Sequence, residues 1–265
     1  MLIRTTSARA VIWTVFAVIV GVFVIAPIVV TALTAFSSNW TSVLPSGLTG
    51  THMAQTLTED NLQSVVVSVQ TALIASAIAV VIGTWAALAA RQAPTRLKGI
   101  IDTVFHVPVA VPSVVIGLAV LIAFSSPPLV LNGTPTIVIV VQSLLVLSFA
   151  YSMVAAAATS LDPALDRVAD SLGARPARIL FTVTLPLLAP AIAAAAGLSV
   201  ALCMGELGAT IMVYPASWRT LPVTVFAQSD RGEIFSAAAN TLLLVMVSVV
   251  ILGLLSRIRS RAAVR

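Results

Sequence analysis

Charge is what this sequence has least of. Only 9% of its 265 residues are Asp, Glu, Lys or Arg, against about 25% in an ordinary soluble domain. With 59% hydrophobic residues, there is too little polar surface to face water on all sides, which excludes a soluble globular fold. Lysine is scarcer still. Lys98 is the single one, followed by Gly99 rather than Ser or Thr and preceded by no glycine-rich loop, so the phosphate-cradling P-loop sequence is absent. One cysteine, Cys203, admits neither a disulfide framework nor a thiolate zinc site, and His52 and His106 have no thiol to pair with. No G-x-S-x-G elbow and no H-E-x-x-H pair occurs. The loops are too short to hold a soluble catalytic domain. The chain is therefore expected not to be an enzyme, with no catalytic residue, metal ligand or bound cofactor of its own.

Apolar length is what it has in abundance. Six stretches reach the roughly 20 residues that cross a bilayer as a helix: near 11–36, 62–90, 99–124, 135–160, 186–213 and 234–256. The expected fold class is all-α integral membrane, with six transmembrane helices in one transmembrane domain spanning 1–265. Twelve of the fourteen basic residues fall on one side of such a topology. They are Arg4 and Arg9 before the first span, Arg91, Arg96 and Lys98 between the second and third, Arg167, Arg175 and Arg178 between the fourth and fifth, and Arg257, Arg259, Arg261 and Arg265 after the last. Only Arg219 and Arg231 lie on the other side. The positive-inside rule then puts both termini and the 162–186 segment in the cytoplasm. The sequence pI of about 10.7 reflects this topology and some attraction to anionic lipid. Without a basic patch interleaved with aromatics, nucleic acid is not an expected partner.

The 162–186 segment, DPALDRVADSLGARPARILFTVTLP, is unusually polar for a membrane-protein loop and reads as two helices joined at a glycine. Asp162 suits an N-cap and Pro163 the first helical position, where a missing N–H costs nothing. Leu161, Leu165, Val168, Ala169 and Leu172 recur at helical spacing and form one apolar stripe. Gly173 suits the C′ position, since glycine enters the left-handed region cheaply. Pro176 can open a second helix running towards Pro186. A helical pair so well specified, on the face of a membrane protein, is expected to be gripped by a partner, with Leu165, Val168, Ala169 and Leu172 turned towards the helix bundle or the partner's groove and Asp162, Asp166, Arg167 and Asp170 as a charged rim.

Three ionisable residues lie in apolar surroundings: Asp102, His106 and Glu206. An acid facing lipid at mid-span costs about 2.5–3.5 kcal/mol on insertion scales, so each should face protein, water or the interface. Asp102 and His106, spaced i,i+4, share a helix face. They read either as an interfacial acid beside Arg96 and Lys98 with a locally bonded histidine, or as a polar element of a gate. Glu206 lies between Gly205 and Gly208 with Thr210 beyond, and small residues there allow close approach. It reads either as part of a pore or gate or as a structural hydrogen bond between helices. Pro108 and Pro112 interrupt the third stretch, which fits either a translocation path or a static kink. Between Tyr214 and Glu233, Trp218, Pro215, Pro222 and the apolar run 221–226 suggest a short interfacial or re-entrant element at the outer side.

Arg167 to Pro186 resembles the cytoplasmic signature loop of ABC importer permeases: Glu-Ala-Ala, three residues, Gly, nine residues, an apolar residue, any residue, then Leu-Pro. Ala169, Gly173, Val183 and Leu185–Pro186 match. Arg167 and Val168 stand where that pattern has glutamate and alanine, which weakens the glutamate contact and keeps the apolar face. The whole six-span chain is similar to type I importer permeases, including those for oxyanions. LPSGLT at 44–49, GTWAALAARQ at 83–92, PSVVIGLAVLIAFS at 112–125 and the 204–235 stretch are similar to permeases of 2-aminoethylphosphonate import systems. The resemblance implies a type I ABC importer permease fold with a coupling helix at 162–172, in a bacterial cytoplasmic membrane. The implied partners are ATP-binding subunits carrying ATP and Mg, a second and non-identical permease chain, and an extracytoplasmic substrate-binding protein. An inorganic oxyanion such as sulfate or molybdate is the alternative cargo. An ATP-independent carrier or membrane anchor is the alternative of another class.

Overall fold

The structure is a computed structural model that describes residues 6–42 and 45–263. Arg4, Leu44 and Arg265 lie outside the described residues, as do the side chains of Arg259 and Arg261. The chain divides into two compact units, residues 1–62 with 224–245 and residues 63–223 with 246–265.

In chain order the α-helices are α1 (Thr6–Val20), α2 (Ala26–Ala35), α3 (Thr51–Gln55), α4 (Glu59–Gln92), α5 (Thr95–Ala110), α6 (Ser113–Ala123) and α7 (Pro135–Ser160). They continue with α8 (Pro163–Ser171), α9 (Pro176–Ile179), α10 (Leu185–Met204), α11 (Thr210–Val213), α12 (Leu221–Asp230) and α13 (Ile234–Ala263). Among the described residues, five helical stretches are long and apolar enough to cross a membrane, and the pair α5–α6 makes a sixth if its two arms count as one span.

In the first unit, α1 and α2 are joined by a wide π turn at Gly21–Ile25. The resulting span Arg9–Ala35 has none of its most apolar window buried. Trp13 and Phe23 are 64% and 77% exposed, which a hydrocarbon environment accepts and water does not. A two-stranded hairpin follows, Ser37–Asn39 paired antiparallel with Ser46–Leu48. The small core of this unit gathers Ala35, Ala238 and Ala239 against Met53 and Leu242. His52 stacks on Phe235 with ring centroids 5.4 Å apart.

The second unit is organised on α7, whose side chains Ile137, Val138, Gln142, Tyr151 and Val154 are fully buried. α10, α5 and α6 all pack against it. The third stretch departs from a single crossing, because α5 and α6 meet at 105°. Pro108 sits inside α5 without breaking it, and the break falls at Val111–Pro112. A residue before proline is driven out of the helical region, and Val111 is extended at φ −107°, ψ 133°.

The fifth stretch also differs from 186–213. Its helix runs Pro176–Met204, so the second helix of the polar segment and the fifth span are one element. Pro186 has no N–H to give a preceding carbonyl, and the π turn at Leu180–Thr184 takes up the mismatch just before it. At the other end the helix stops at Met204, with Gly205 as its C-cap. In the 214–233 segment, a 3₁₀ turn at Ala216–Trp218 leads into α12. The Trp218 indole donates to Thr71 Oγ1 at 2.9 Å and the Leu221 N–H to Ser68 Oγ at 2.7 Å, so the segment is pinned to α4.

Candidate functional site

Two groups of predicted residues come together in separate places. The first is α8 and its surroundings. The Asp162 carboxylate accepts the Ala164 N–H at 2.8 Å and Pro163 opens the helix. The far end closes as a Schellman motif: the Gly173 N–H donates to Asp170 O at 2.8 Å and the Ala174 N–H to Ala169 O at 3.1 Å. Gly173 takes φ +79°, the left-handed value this closure needs.

Much of the apolar stripe of α8 is left uncovered by the chain. Leu165, Val168 and Leu172 are 43%, 59% and 82% exposed. Asp162, Arg167 and Asp170 are exposed beside it, while Asp166 and Ala169 are half-buried on the inner side. The inner side carries a contact that sequence reasoning missed: Arg91, in the last turn of α4, pairs with Asp166 at 2.9 Å. Leu185 and Pro186 lie in the continuous helix, Leu185 half-buried and Pro186 exposed. A cavity of about 300 Å³ lies between α8, α4 and α9.

The second group surrounds α7. The Tyr151 hydroxyl donates to the Asp102 carboxylate, so this acid is satisfied across helices rather than by Arg96 or Lys98. His106 is exposed on α5. Its Nδ1 lies 2.6 Å from the Asp102 carbonyl oxygen and its Nε2 3.0 Å from Ser152 Oγ. A carbonyl can only accept, so Nδ1 carries the hydrogen. The Ser148 hydroxyl donates to Phe105 O at 2.5 Å. Thus α5 is stitched to α7 by three polar side chains, Ser148, Tyr151 and Ser152. Their i, i+3, i+4 spacing in an apolar helix is the one sequence signal that could have revealed them. Replacing Tyr151 by Phe strips the carboxylate of its donor and should cost about 1–3 kcal/mol, read as a lower thermal midpoint of the detergent-solubilised protein. An unchanged midpoint would remove this bond from the account.

Glu206 is not on a membrane helix. It follows the end of α10, and its carboxylate caps α11. Oε1 accepts the Ala209 N–H at 2.9 Å, and Oε2 accepts the Thr210 N–H at 2.9 Å and the Thr210 hydroxyl at 2.6 Å. Thr210, fully buried, in turn accepts from Gln142 Nε2 of α7 at 3.0 Å. A helix N-terminus left with unpaired N–H groups recruits such a carboxylate. Gly205 is exposed, and a Cβ there would meet only the Ala201 carbonyl oxygen at 3.9 Å, whereas Gly208 sits against Ser113 at the start of α6. One turn on, a Cβ at Gly117 would lie 2.6 Å from the Ala209 carbonyl oxygen. The turn 205–209 and α6 therefore meet backbone to backbone. The four pore candidates Glu206, Gly205, Gly208 and Thr210 thus form one turn locked to α6 and α7, while Asp102, His106, Pro108 and Pro112 lie on the other arm of the bend or at it. Glu206→Gln would turn an amide NH₂ towards N–H donors, at about 1–3 kcal/mol. A lowered thermal midpoint with reduced uptake is the expected result, and wild-type values for both would remove Glu206 from the site.

A broken third stretch, a helix following a polar capped one, and an exposed amphipathic helix between the fourth and fifth spans make a specific architecture, which comparison with known proteins identifies. Residues 79–264 match the family described as binding-protein-dependent transport system inner membrane component. The chain belongs to that family. It is an inner-membrane permease subunit of an ABC importer.

The permease is 40% identical over 261 residues to the transport system permease protein PhnV of Salmonella typhimurium, whose name assigns it, provisionally, to 2-aminoethylphosphonate; the match covers 98% of each chain. The molybdenum transport system permease protein ModB of Escherichia coli K12 is 29% identical, over 78% of the permease and 98% of its relative. Among solved structures, a bacterial alginate ABC transporter in complex with an alginate pentasaccharide-bound periplasmic protein aligns with TM-score 0.76 at 15% identity, over 96% and 94% of the two chains. The inward-facing methionine ABC transporter MetNI aligns with TM-score 0.64 at 16% identity, over 78% and 99%. At these identities the structures establish the fold.

Proposed function

We propose that the permease carries a small phosphonate of the 2-aminoethylphosphonate type inward, driven by ATP hydrolysis on separate subunits. The observation that carries this is the 40% identity to PhnV across 98% of both chains, against 29% and 78% of the permease for a molybdenum relative. ATP and Mg belong to the partner ATPase, which fits the absence of a P-loop in this sequence. A second, non-identical permease chain completes the path, and an extracytoplasmic binding protein delivers the cargo. Both termini and α8 face the cytoplasm of a bacterium in this reading, which the distribution of arginines supports.

In this reading the outward stripe Leu165–Val168–Leu172 seats in a groove of the ATPase, with Ala169 at its inner edge and Asp162, Asp166, Arg167 and Asp170 around it. Motion of α8 passes through Gly173 into the continuous Pro176–Met204 helix, past Leu185 and Pro186. The turn Gly205–Thr210 and the bend at Pro108–Pro112 form the gate, with Asp102 and the exposed His106 on the path. Glu206 braces the gate element, since its carboxylate oxygens are already engaged.

Reconstitution of the permease with its ATPase, second permease and binding protein in vesicles tests the reading. ATP-dependent accumulation of labelled 2-aminoethylphosphonate and none of molybdate is expected. Accumulation of molybdate or sulfate instead would assign the cargo to the inorganic oxyanions, and uptake without ATP would remove the importer mechanism.

A further inference from the structure

We propose that Arg91 is a positioning residue that ties the ATPase-docking helix α8 directly to α4, so that α4 acts as a rod from the docking site to the outer segment. This route runs in parallel with the Pro176–Met204 helix. It rests on the reading of α8 as the ATPase contact.

α8 turns Val168 and Leu172 outward and keeps only part of Leu165 against Leu161, Val183 and Leu187, so apolar packing is a small part of what holds it to the rest of the chain. Among the described residues, its broad contact is with α9, the next element in sequence. Towards α4 lies a cavity of about 300 Å³, lined by Leu88, Gln92, Asp170 and Ile179 among others. Across that gap reaches the Arg91–Asp166 pair, 2.9 Å between Nη2 and Oδ2, with the two side chains 16% and 39% exposed. A pair between exposed side chains transmits little, because water screens it and both chains are free to move. Here only Arg91 is largely covered; Asp166 is half-exposed and both border the cavity, so water screens the pair in part and the restraint comes chiefly from the charge-assisted 2.9 Å contact itself.

The far part of α4 shows what the restraint could move. No proline interrupts Glu59–Gln92. From Arg91 to Thr71 is twenty residues along one helix, or roughly 30 Å at 1.5 Å per residue. Thr71 and Ser68 are the residues that hold Trp218 and the Leu221 N–H. A single rigid helix therefore carries the ion pair to α8 at one end and the hydrogen bonds to the 215–221 segment further along. A shift of α8 that pulls Asp166 moves α4 axially or in rotation, and the outer segment follows. The charge rim adds a constraint: Arg167 and Asp170 border the same cavity and are exposed, which leaves them to the partner while Asp166 is held by Arg91.

The test uses the full complex in vesicles, reading uptake, ATP hydrolysis and thermal midpoint together. Arg91→Gln should keep the ATPase bound and lower cargo moved per ATP by at least about fivefold, the small end of an allosteric coupling. Arg91→Lys should recover part of the loss and the exchanged pair Arg91→Asp with Asp166→Arg more of it. A second readout separates transmission from simple stability. In a Cys203→Ser background, the labelling rate of Ser217→Cys at the outer segment should change on ATP addition, lose that change in Arg91→Gln and regain it in Arg91→Lys. Wild-type cargo per ATP in Arg91→Gln, with ATP-dependent labelling intact, overturns the proposal. Leu172→Asp serves as the control for the underlying reading. If it leaves the ATPase bound, α8 is not the docking helix and the proposal falls with that reading. If it releases the ATPase while Arg91→Gln stays coupled, only the rod is overturned.

Discussion

Gly173→Val will leave the permease inserted in the membrane and lower ATP-driven uptake by at least about tenfold, the equivalent of 1.4 kcal/mol. The cause is backbone conformation rather than crowding. No atom outside its immediate neighbours lies within 4 Å of a Cβ built at Gly173, and its φ is +79°. A β-branched residue in that region costs about 1–3 kcal/mol and is relieved by rotating the link out of the left-handed state. That rotation breaks the two hydrogen bonds from Gly173 and Ala174 that close α8 and resets the angle at which α8 meets the Pro176–Met204 helix. Asparagine, which tolerates the left-handed region, should restore most of the uptake at the same position. Parallel measurement of uptake and ATP hydrolysis in vesicles decides it. Equal transport by the valine and glycine forms would show that the geometry of this link does not matter for coupling.

The second large effect is expected at Gly117, for the opposite reason. A Cβ there would stand 2.6 Å from the Ala209 carbonyl oxygen and 2.8 Å from the Ala209 Cα. These are backbone atoms held in place by the Glu206 cap, so they cannot turn aside as a side chain would. Even Gly117→Ala must push α6 away from the turn, at a cost of about 1–3 kcal/mol or more. Gly99→Ala is the control, because it is helical and has open space around it. It should be neutral or stabilising by about 0.5–1 kcal/mol. The thermal midpoints of the two variants in detergent should therefore move apart. A Gly117→Ala protein as stable as the Gly99→Ala protein would mean that α6 and the 205–209 turn are not in close contact.

The features readable in the sequence are those set by local chemistry. Apolar length announces the membrane helices, and the Asp162–Pro163 cap and Gly173 bound α8 because capping depends on residues within one turn. The Val111–Pro112 break is legible as an interruption, but the 105° between its arms is decided by what α6 packs against. The remaining features depend on partners far apart in the chain. Arg91 finds Asp166 across 75 positions and Asp102 finds Tyr151 across 49, pairings that no spacing rule signals. Glu206 is the instructive case. In an apolar context a carboxylate looks like part of a membrane helix, yet the helix ends two residues earlier and the acid serves the next helix as its cap. The outward turn of the α8 stripe was equally hidden, since periodicity reveals a face without revealing what covers it.

What covers that face is the central claim, and a photo-reactive amino acid at position 172 tests it most directly. Leu172 is the most exposed of the three apolar side chains of the stripe, at 82%. After illumination of native membranes, the account predicts a covalent adduct between the permease and an ATP-binding subunit, identified by mass. Adducts to lipid alone, or none to any protein in membranes that transport normally, would contradict it.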